Sequence, residues 1–95
     1  MARTFTAQMS VRRSRWRLYV ALLNTFEPWP EHCFGRALPV PTFTERADAL
    51  SVLGFESAPG AEWSWIEDTE TPDDPASAVV LIAALTVRSR TGASR

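Results

Sequence analysis

The chain has 95 residues, of which 45% are hydrophobic and 22% charged, and its formal net charge is −1. This length suffices for one compact domain and is too short for two, and the composition is that of a soluble globular protein. The single cysteine, Cys33, excludes a disulfide within the chain and is expected to be buried. With only one histidine, the chain cannot complete a four-ligand zinc site, so no metal and no cofactor are expected.

The apolar stretches are too short for a membrane protein. Residues 1–6 contain no apolar run of the kind found in signal peptides. The longest apolar run spans the eight residues 78–85, whereas a membrane helix needs about 20. We therefore expect a cytoplasmic protein without membrane contact.

Two alternating segments open the chain. Residues 4–11 and 15–23 each alternate between apolar and polar side chains, and this two-residue period is typical of a strand with one buried face. The polar residues 12–14 between them predict a hairpin turn. The register stays open, because the turn lacks the Asn-Gly or Asp-Gly pair that usually fixes it.

A loop and a helix follow. Four prolines within residues 24–41 predict a loop, with a short edge strand at 34–38. Thr42 and Glu45 have the spacing of a capping box, and Gly54 stands where a helix stops, so a helix is predicted over residues 43–53.

The last third of the chain predicts two strands around an acidic loop. Residues 61–67 alternate, residues 68–75 form the loop, and residues 77–88 are the most hydrophobic segment. Since this segment is apolar on both faces from 79 to 85, an interior strand covered on both sides is predicted. Residues 89–95 are predicted to be a disordered tail, which leaves residues 1–88 as a single domain.

The order β-β-(β)-α-β-β predicts an α+β fold, an antiparallel four- to five-stranded sheet with one helix on one face. One short helix cannot cover such a sheet. The four tryptophans add large apolar surfaces that need cover. A homodimer or a tightly bound partner is therefore expected.

Several short blocks carry a family resemblance: residues 15–19 (Arg-Trp-Arg-Leu-Tyr), 27–30 (Glu-Pro-Trp-Pro), 39–42 (Pro-Val-Pro-Thr), 53–55 (Leu-Gly-Phe), 63–65 (Trp-Ser-Trp) and 71–75 (Thr-Pro-Asp-Asp-Pro). Together they resemble an uncharacterised family of small actinomycete proteins, known as a domain of unknown function. The resemblance spans nearly the whole chain and implies an actinomycete origin. It implies no activity.

Charge is strongly segregated along the chain. Residues 1–17 contain five arginines and no acidic residue, whereas residues 45–74 contain nine acidic residues and one arginine. Segregated charge of this kind affects how a protein associates with other molecules and says little about its fold. We interpret both regions as candidate partner-binding surfaces.

The basic candidates lie in the first hairpin: Arg12, Arg13, Arg15, Arg17 and Tyr19. Arginines alternating on a strand could straddle phosphates, and Tyr19 could stack on a base. They could equally contact an acidic protein surface or simply be solvated. The sequence pI of about 5.7 argues against dedicated nucleic-acid binding.

The acidic candidates are Glu67, Asp68, Asp73 and Asp74. Their spacing is not that of an EF-hand, so a solvated or partner-binding loop is favoured over a calcium site. Trp29, between two prolines, is either an anchor for a partner pocket or a ring folded over the domain's own core.

No catalytic arrangement is readable. Glu31, His32 and Cys33 are the only candidates for nucleophilic chemistry, and neighbours on an extended chain point apart. The sequence therefore predicts a non-enzymatic cytoplasmic protein–protein interaction module that forms a homodimer. The alternative is a nucleic-acid-binding regulator that uses the arginine-rich hairpin.

Overall fold

In the computed structural model, residues 3–23 and 25–90 are described, and they form six strands and one helix. The elements are β1 (Thr4–Arg12), β2 (Arg15–Ala21), β3 (Glu31–Cys33), α1 (Phe43–Leu53), β4 (Phe55–Ser57), β5 (Ser64–Thr69) and β6 (Val79–Ser89). β6 extends one residue past the predicted domain boundary, and the Arg90 N–H donates to the Gly54 carbonyl. The remainder of the predicted tail, residues 91–95, lies outside the described residues.

All strands belong to one antiparallel sheet with the order β3-β2-β1-β6-β4. β5 pairs with the same edge of β6 as β4 does, but β5 contacts the first half of β6 and β4 contacts its end. β4 pairs with residues 87–89 and β5 with residues 79–84. The predicted α+β class, with one helix against an antiparallel sheet, is confirmed.

The first hairpin closes through a two-residue turn. Arg13 and Ser14 both have positive φ values, 52° and 63°, as a type I′ turn requires. Such a turn matches the right-handed twist of the flanking strands, and it pairs Arg12 directly with Arg15. The register that the sequence leaves open is thus fixed by two residues that adopt left-handed backbone without being glycine or asparagine.

The helix is bounded as predicted. The Glu45 N–H donates to Thr42 Oγ1 over 3.1 Å, and the Thr42 N–H donates to Glu45 Oε1 over 2.8 Å, which completes the capping box. Gly54 ends the helix with a φ of 94°, and its N–H donates to the carbonyls of Leu50 and Ser51. The carbonyls of the last turn are therefore satisfied within the helix end.

The core lies between α1 and one face of the sheet. Strand alternation brings apolar side chains of β1, β2 and β6 to this face, and Leu50 of the helix packs on them. The buried cluster consists of Ala7, Met9, Trp16, Leu18, Val20, Leu50, Phe55, Ala83, Leu85 and Val87. The opposite face, here called the open face, has no helix over it within the described residues.

The predicted edge strand at 34–38 is wrong in position. The edge strand is Glu31–Cys33, which pairs with residues 17–19 of β2. Gly35, with a φ of 74°, bends the chain directly after it. Two further backbone bonds join Phe34 and Arg36 to Trp16 across this bend, so the contact with β2 continues without a regular ladder.

The strand between the helix and β5 is not predicted by the sequence. β4 has only three residues, too few for alternation to be visible. β5 begins three residues later than the predicted strand 61–67 and ends two residues later. The strand itself is confirmed, but burial does not alternate along it: Trp65 and Ile66 lie on different faces, opposite Ala83 and Ile82, and both are exposed.

β6 is interior in the strand order, but the predicted cover on both faces is wrong. Val79 is 61% and Leu81 39% exposed, and residues 80, 82 and 84 are only half-buried. The reason lies in the pairing: the β1–β6 ladder ends at Ser10 and Ile82, so residues 79–81 pair with β5 alone. The start of β6 therefore projects beyond the layer that the helix covers.

Candidate functional site

Two hairpins of opposite charge lie side by side at one end of the sheet. The basic hairpin comprises residues 12–17, at the turn between β1 and β2. The acidic hairpin comprises residues 67–79, which include the loop between β5 and β6. Since β1 and β6 are antiparallel and their ladder ends at Ser10 and Ile82, both hairpins point to the same end of the sheet.

The two hairpins separate beyond the end of that ladder and leave a cleft of about 550 Å³ between them. Arg12 and Arg13 line it on one side, and Asp68 and Glu70 on the other. Within residues 3–23 and 25–90, the ion pairs are Arg17–Glu31 at 3.4 Å, Arg36–Glu45 at 2.6 Å and Arg88–Glu56 at 2.7 Å. None of these described pairs joins the basic hairpin to the acidic one, so the two charges do not neutralise each other by direct contact.

The predicted basic residues are brought together. Because Arg12 pairs with Arg15, these two side chains and that of Arg17 share the open face, while Arg13 occupies the tip of the turn. Arg17 Nη1 lies 3.4 Å from Glu31 Oε2, and both side chains are nearly half exposed. Such an exposed pair stabilises the fold by less than about 1 kcal/mol and is readily exchanged for another partner.

Tyr19 and Trp29 form one unit on the open face. The Tyr19 hydroxyl donates to Gln8 Oε1 over 2.7 Å, and its ring stacks on Trp29 with centroids 6.0 Å apart. The Trp29 indole N–H donates to the Leu22 carbonyl over 2.9 Å, while the ring stays exposed. Trp29 therefore covers Tyr19 rather than the helix-side core, and it leaves one face of Tyr19 unavailable for stacking on a base.

The predicted acidic residues are partly brought together. Asp68 lies in β5 and lines the cleft, whereas Asp73 and Asp74 belong to a loop held by its own hydrogen bonds. The Asp74 carboxylate accepts from the Ala76 N–H, and the Ser77 hydroxyl donates to the Asp74 carbonyl. Among the residues that the structure describes, no group of three or more His, Cys, Asp or Glu side chains is arranged to hold a metal ion.

Exposed apolar side chains on and next to the acidic hairpin form a surface that the sequence does not predict. Trp65, Ile66, Val79 and Leu81 are all exposed. The unbroken apolar run of β6 could have indicated this surface, but the same run also predicts a buried strand. In the register of β5 and β6, Trp65, Val79 and Leu81 share the helix-side face, while Ile66 lies on the open face. Several exposed apolar side chains on one face are typical of a surface that another molecule covers.

A cation–aromatic cluster next to β5 was also missed. The Arg46 guanidinium lies 4.9 Å from the ring centroid of Trp63, 5.7 Å from that of Trp65 and 5.6 Å from that of Phe43. Partial burial lowers the pKa of Arg46 below its ordinary value. The cluster ties α1 to the segment leading into β5, which is a structural role.

The three residues considered for nucleophilic chemistry do not converge. Glu31 and Cys33 lie on the open face with Arg17 and Tyr19, whereas His32 pairs with the buried Leu18 and its ring packs against Phe34 at 4.8 Å. Cys33 is exposed, so the expectation of a buried cysteine is wrong. The reason is that β3 is an edge strand and presents this side chain on the face without a helix.

These observations define the chain as a small α+β protein with a curled antiparallel sheet, one open face and two oppositely charged hairpins. The profile of a family described as "Family of unknown function (DUF6303)" matches residues 3–95, and the chain belongs to that family. The resemblance to an uncharacterised domain is thereby confirmed. No curated protein and no solved structure matches the chain. In the part of the chain that the structure describes, no helix is long and apolar enough to cross a membrane.

Proposed function

We propose that this protein is a non-enzymatic interaction module of the cytoplasm that pairs with a second copy of itself. The observation that carries the proposal is the pair of hairpins at one end of the sheet, opposite in charge and not paired with each other. The basic hairpin of one copy would lie against the acidic hairpin of the other.

The arrangement is self-complementary. In a two-fold symmetric dimer each surface contacts its counterpart reciprocally, so one basic and one acidic hairpin per chain give two equivalent contacts. A dimer of this kind uses both charged surfaces at once. An unrelated partner would need to supply both signs of charge in the matching places.

The exposed apolar side chains add the affinity that charge alone does not give. Opposite charges mainly accelerate association and fix its orientation, whereas burial of apolar surface stabilises the complex. Val79 lies on the acidic hairpin, where the basic hairpin of a second copy would cover it, and Ile66 lies directly before that hairpin on the other face.

Nucleic-acid binding has weaker support. Trp29 covers one face of Tyr19, so only the other face could stack on a base. The acidic hairpin across the cleft repels a polyanion as well.

The proposal is tested with two charge-reversed variants, Arg12→Glu/Arg13→Glu and Asp68→Arg/Glu70→Arg. Sedimentation velocity at micromolar concentration should show the wild-type protein as a dimer that dissociates partly in 1 M salt, where the screening length falls to about 3 Å. Each variant alone should dimerise about a hundredfold more weakly or worse, because like charges then face each other. An equimolar mixture of the two variants should form a heterodimer, since each contact again joins opposite charges.

The matched control is Arg88→Gln, whose arginine pairs with Glu56 on a distant part of the sheet and should leave the dimer intact. A wild-type monomer in both low and high salt would contradict the proposal. So would a dimer that neither variant weakens, or a mixture of variants that stays monomeric while near-UV circular dichroism shows both to be folded. Salt-sensitive binding of an oligonucleotide by the monomer would support the alternative.

A further inference from the structure

The open face of the sheet carries a trough of about 650 Å³, a volume within the range of small-molecule sites. Its floor lies along β1, where Ser10 stands between Arg17 of β2 and Ile82 of β6 in the register of the strands. Ser10 is short, whereas Arg17 and Ile82 opposite it on the two neighbouring strands are longer, which leaves a groove over this part of β1.

The two walls of the trough differ in chemistry. Trp29 and Tyr19 form one wall, with their rings stacked and each held by its own hydrogen bond. Val80 and Ile82, both half-buried, form the other. A flat or aliphatic body between these walls would bury apolar surface on both sides without first ordering the aromatic side chains.

One end of the trough is positively charged. Arg12 and Arg17 flank Ser10 on the same face, diagonal neighbours across the β1–β2 ladder. Arg12 has no ion pair among the described residues, and the contact of Arg17 with Glu31 is long and exposed. Two guanidinium groups and a hydroxyl in this arrangement suit a single carboxylate, sulfonate or phosphate group.

Two carboxylates also line the trough: Glu27, next to Pro28 and Trp29, and Glu31, which lies 3.4 Å from Arg17. A polyanion that followed the groove would meet both carboxylates, whereas a ligand with one anionic end has only the exposed contact of Glu31 with Arg17 to displace. Charge thus selects a small molecule with a single anionic group over a nucleic-acid strand.

We infer that this trough binds a small organic anion with an apolar body, its anionic group between Arg12 and Arg17 and its body between Trp29 and Ile82. The trough shares Arg12 and Arg17 with the basic hairpin, but probe binding and oligomeric state are measured separately, so either proposal can fail alone.

The test uses two fluorescent probes that share a ring system. 1-Anilinonaphthalene-8-sulfonate carries an anionic group, and N-phenyl-1-naphthylamine is the same body without it. The sulfonate should bind the folded wild-type protein saturably. The Arg17→Gln variant should weaken its binding about tenfold or more, the loss of one charge-assisted hydrogen bond, and should change binding of the neutral probe by less than about twofold.

Two further variants separate this site from others. Ile82→Ser should weaken binding of both probes, because it removes one apolar wall. Arg88→Gln, on the same face but outside the trough, should change neither. Shifts of the Ser10 amide and the Trp29 indole signals in NMR spectra on addition of the sulfonate should locate the bound probe.

Failure to bind the sulfonate saturably would overturn the inference. Equal affinity of the wild-type protein and the Arg17→Gln variant would do so as well, as would NMR shifts confined to the helix side of the sheet. Near-UV circular dichroism of each variant guards against the binding of these probes to partly folded chains.

Discussion

At the scale of single residues, the Glu45 carboxylate accepts two hydrogen bonds. It caps the helix through Thr42 and accepts from Arg36 Nη2 over 2.6 Å. The hydrogen bond from Arg36, followed by that from the Thr42 backbone, lowers the pKa of Glu45 from its ordinary 4.5 to about 2. A carboxylate that is more acidic when folded stabilises the fold above its unfolded pKa and loses this effect as the pH falls.

We expect the contribution of Glu45 to be complete above about pH 4.5 and to vanish as the pH falls towards about 2. As the pH falls through this window, the melting temperature of the wild-type protein should therefore decrease more steeply than that of the Glu45→Gln variant. Glu67→Gln, which removes an exposed carboxylate of β5, serves as the control and should keep the wild-type slope. Parallel pH profiles for wild type and Glu45→Gln would show that the Arg36 contact does not hold the carboxylate ionised.

Ser14 illustrates backbone strain at the same scale. Its φ of 63° places a side chain in the left-handed region, at a cost of about 1–2 kcal/mol relative to glycine. Ser14→Gly should raise stability by about 1 kcal/mol after the greater flexibility of the unfolded chain is subtracted, and the melting temperature by several degrees. Ser14→Ala keeps the strained backbone and should bring no such gain. Equal melting temperatures for the two variants would contradict this account.

At the scale of elements, β6 contains both the best and the least covered apolar positions of the sheet. Leu85 is 4% exposed and lies opposite Ala7, whereas Leu81 is 39% exposed on the part that pairs with β5 alone. Leu85→Ala should cost about 2–5 kcal/mol in urea denaturation, because it leaves a cavity in the core. Leu81→Ala should cost less than about 1 kcal/mol in the monomer. Similar losses would mean that another layer covers the start of β6.

The elements also show what a sequence can predict. The helix is found with its correct ends because Thr42, Glu45 and Gly54 act on backbone groups within a few residues of themselves. The sequence places β3 wrongly and does not reveal β4. Each strand has only three residues, and its position is decided by the strand it pairs with rather than by its own side chains. Whether a segment favours extended backbone depends on its own residues, whereas the exact residues that pair depend on the adjacent strand of the sheet.

At the scale of the whole molecule, the radius of gyration is 14.1 Å, while a compact chain of this length has about 12 Å. The principal extents of 46 × 28 × 27 Å agree with an elongated shape. The sequence shows that charge is segregated along the chain. It cannot place the two hairpins side by side, because that neighbourhood follows from β1 pairing with β6 across most of the chain length. The trough is unpredictable for the same reason, since its walls come from distant strands.

The central position of β6 bears on how the chain is made. Every strand that pairs with it has left the ribosome earlier, so the first hairpin and the helix emerge while the strand that joins them is still to be synthesised. The apolar face around Met9 and Leu18 therefore stays exposed to water until β6 is synthesised and pairs with β1. We therefore expect the sheet to close only after β6 is synthesised, the long-range pairing of β1 with β6 to slow folding, and the incomplete chain to be the state most prone to aggregation.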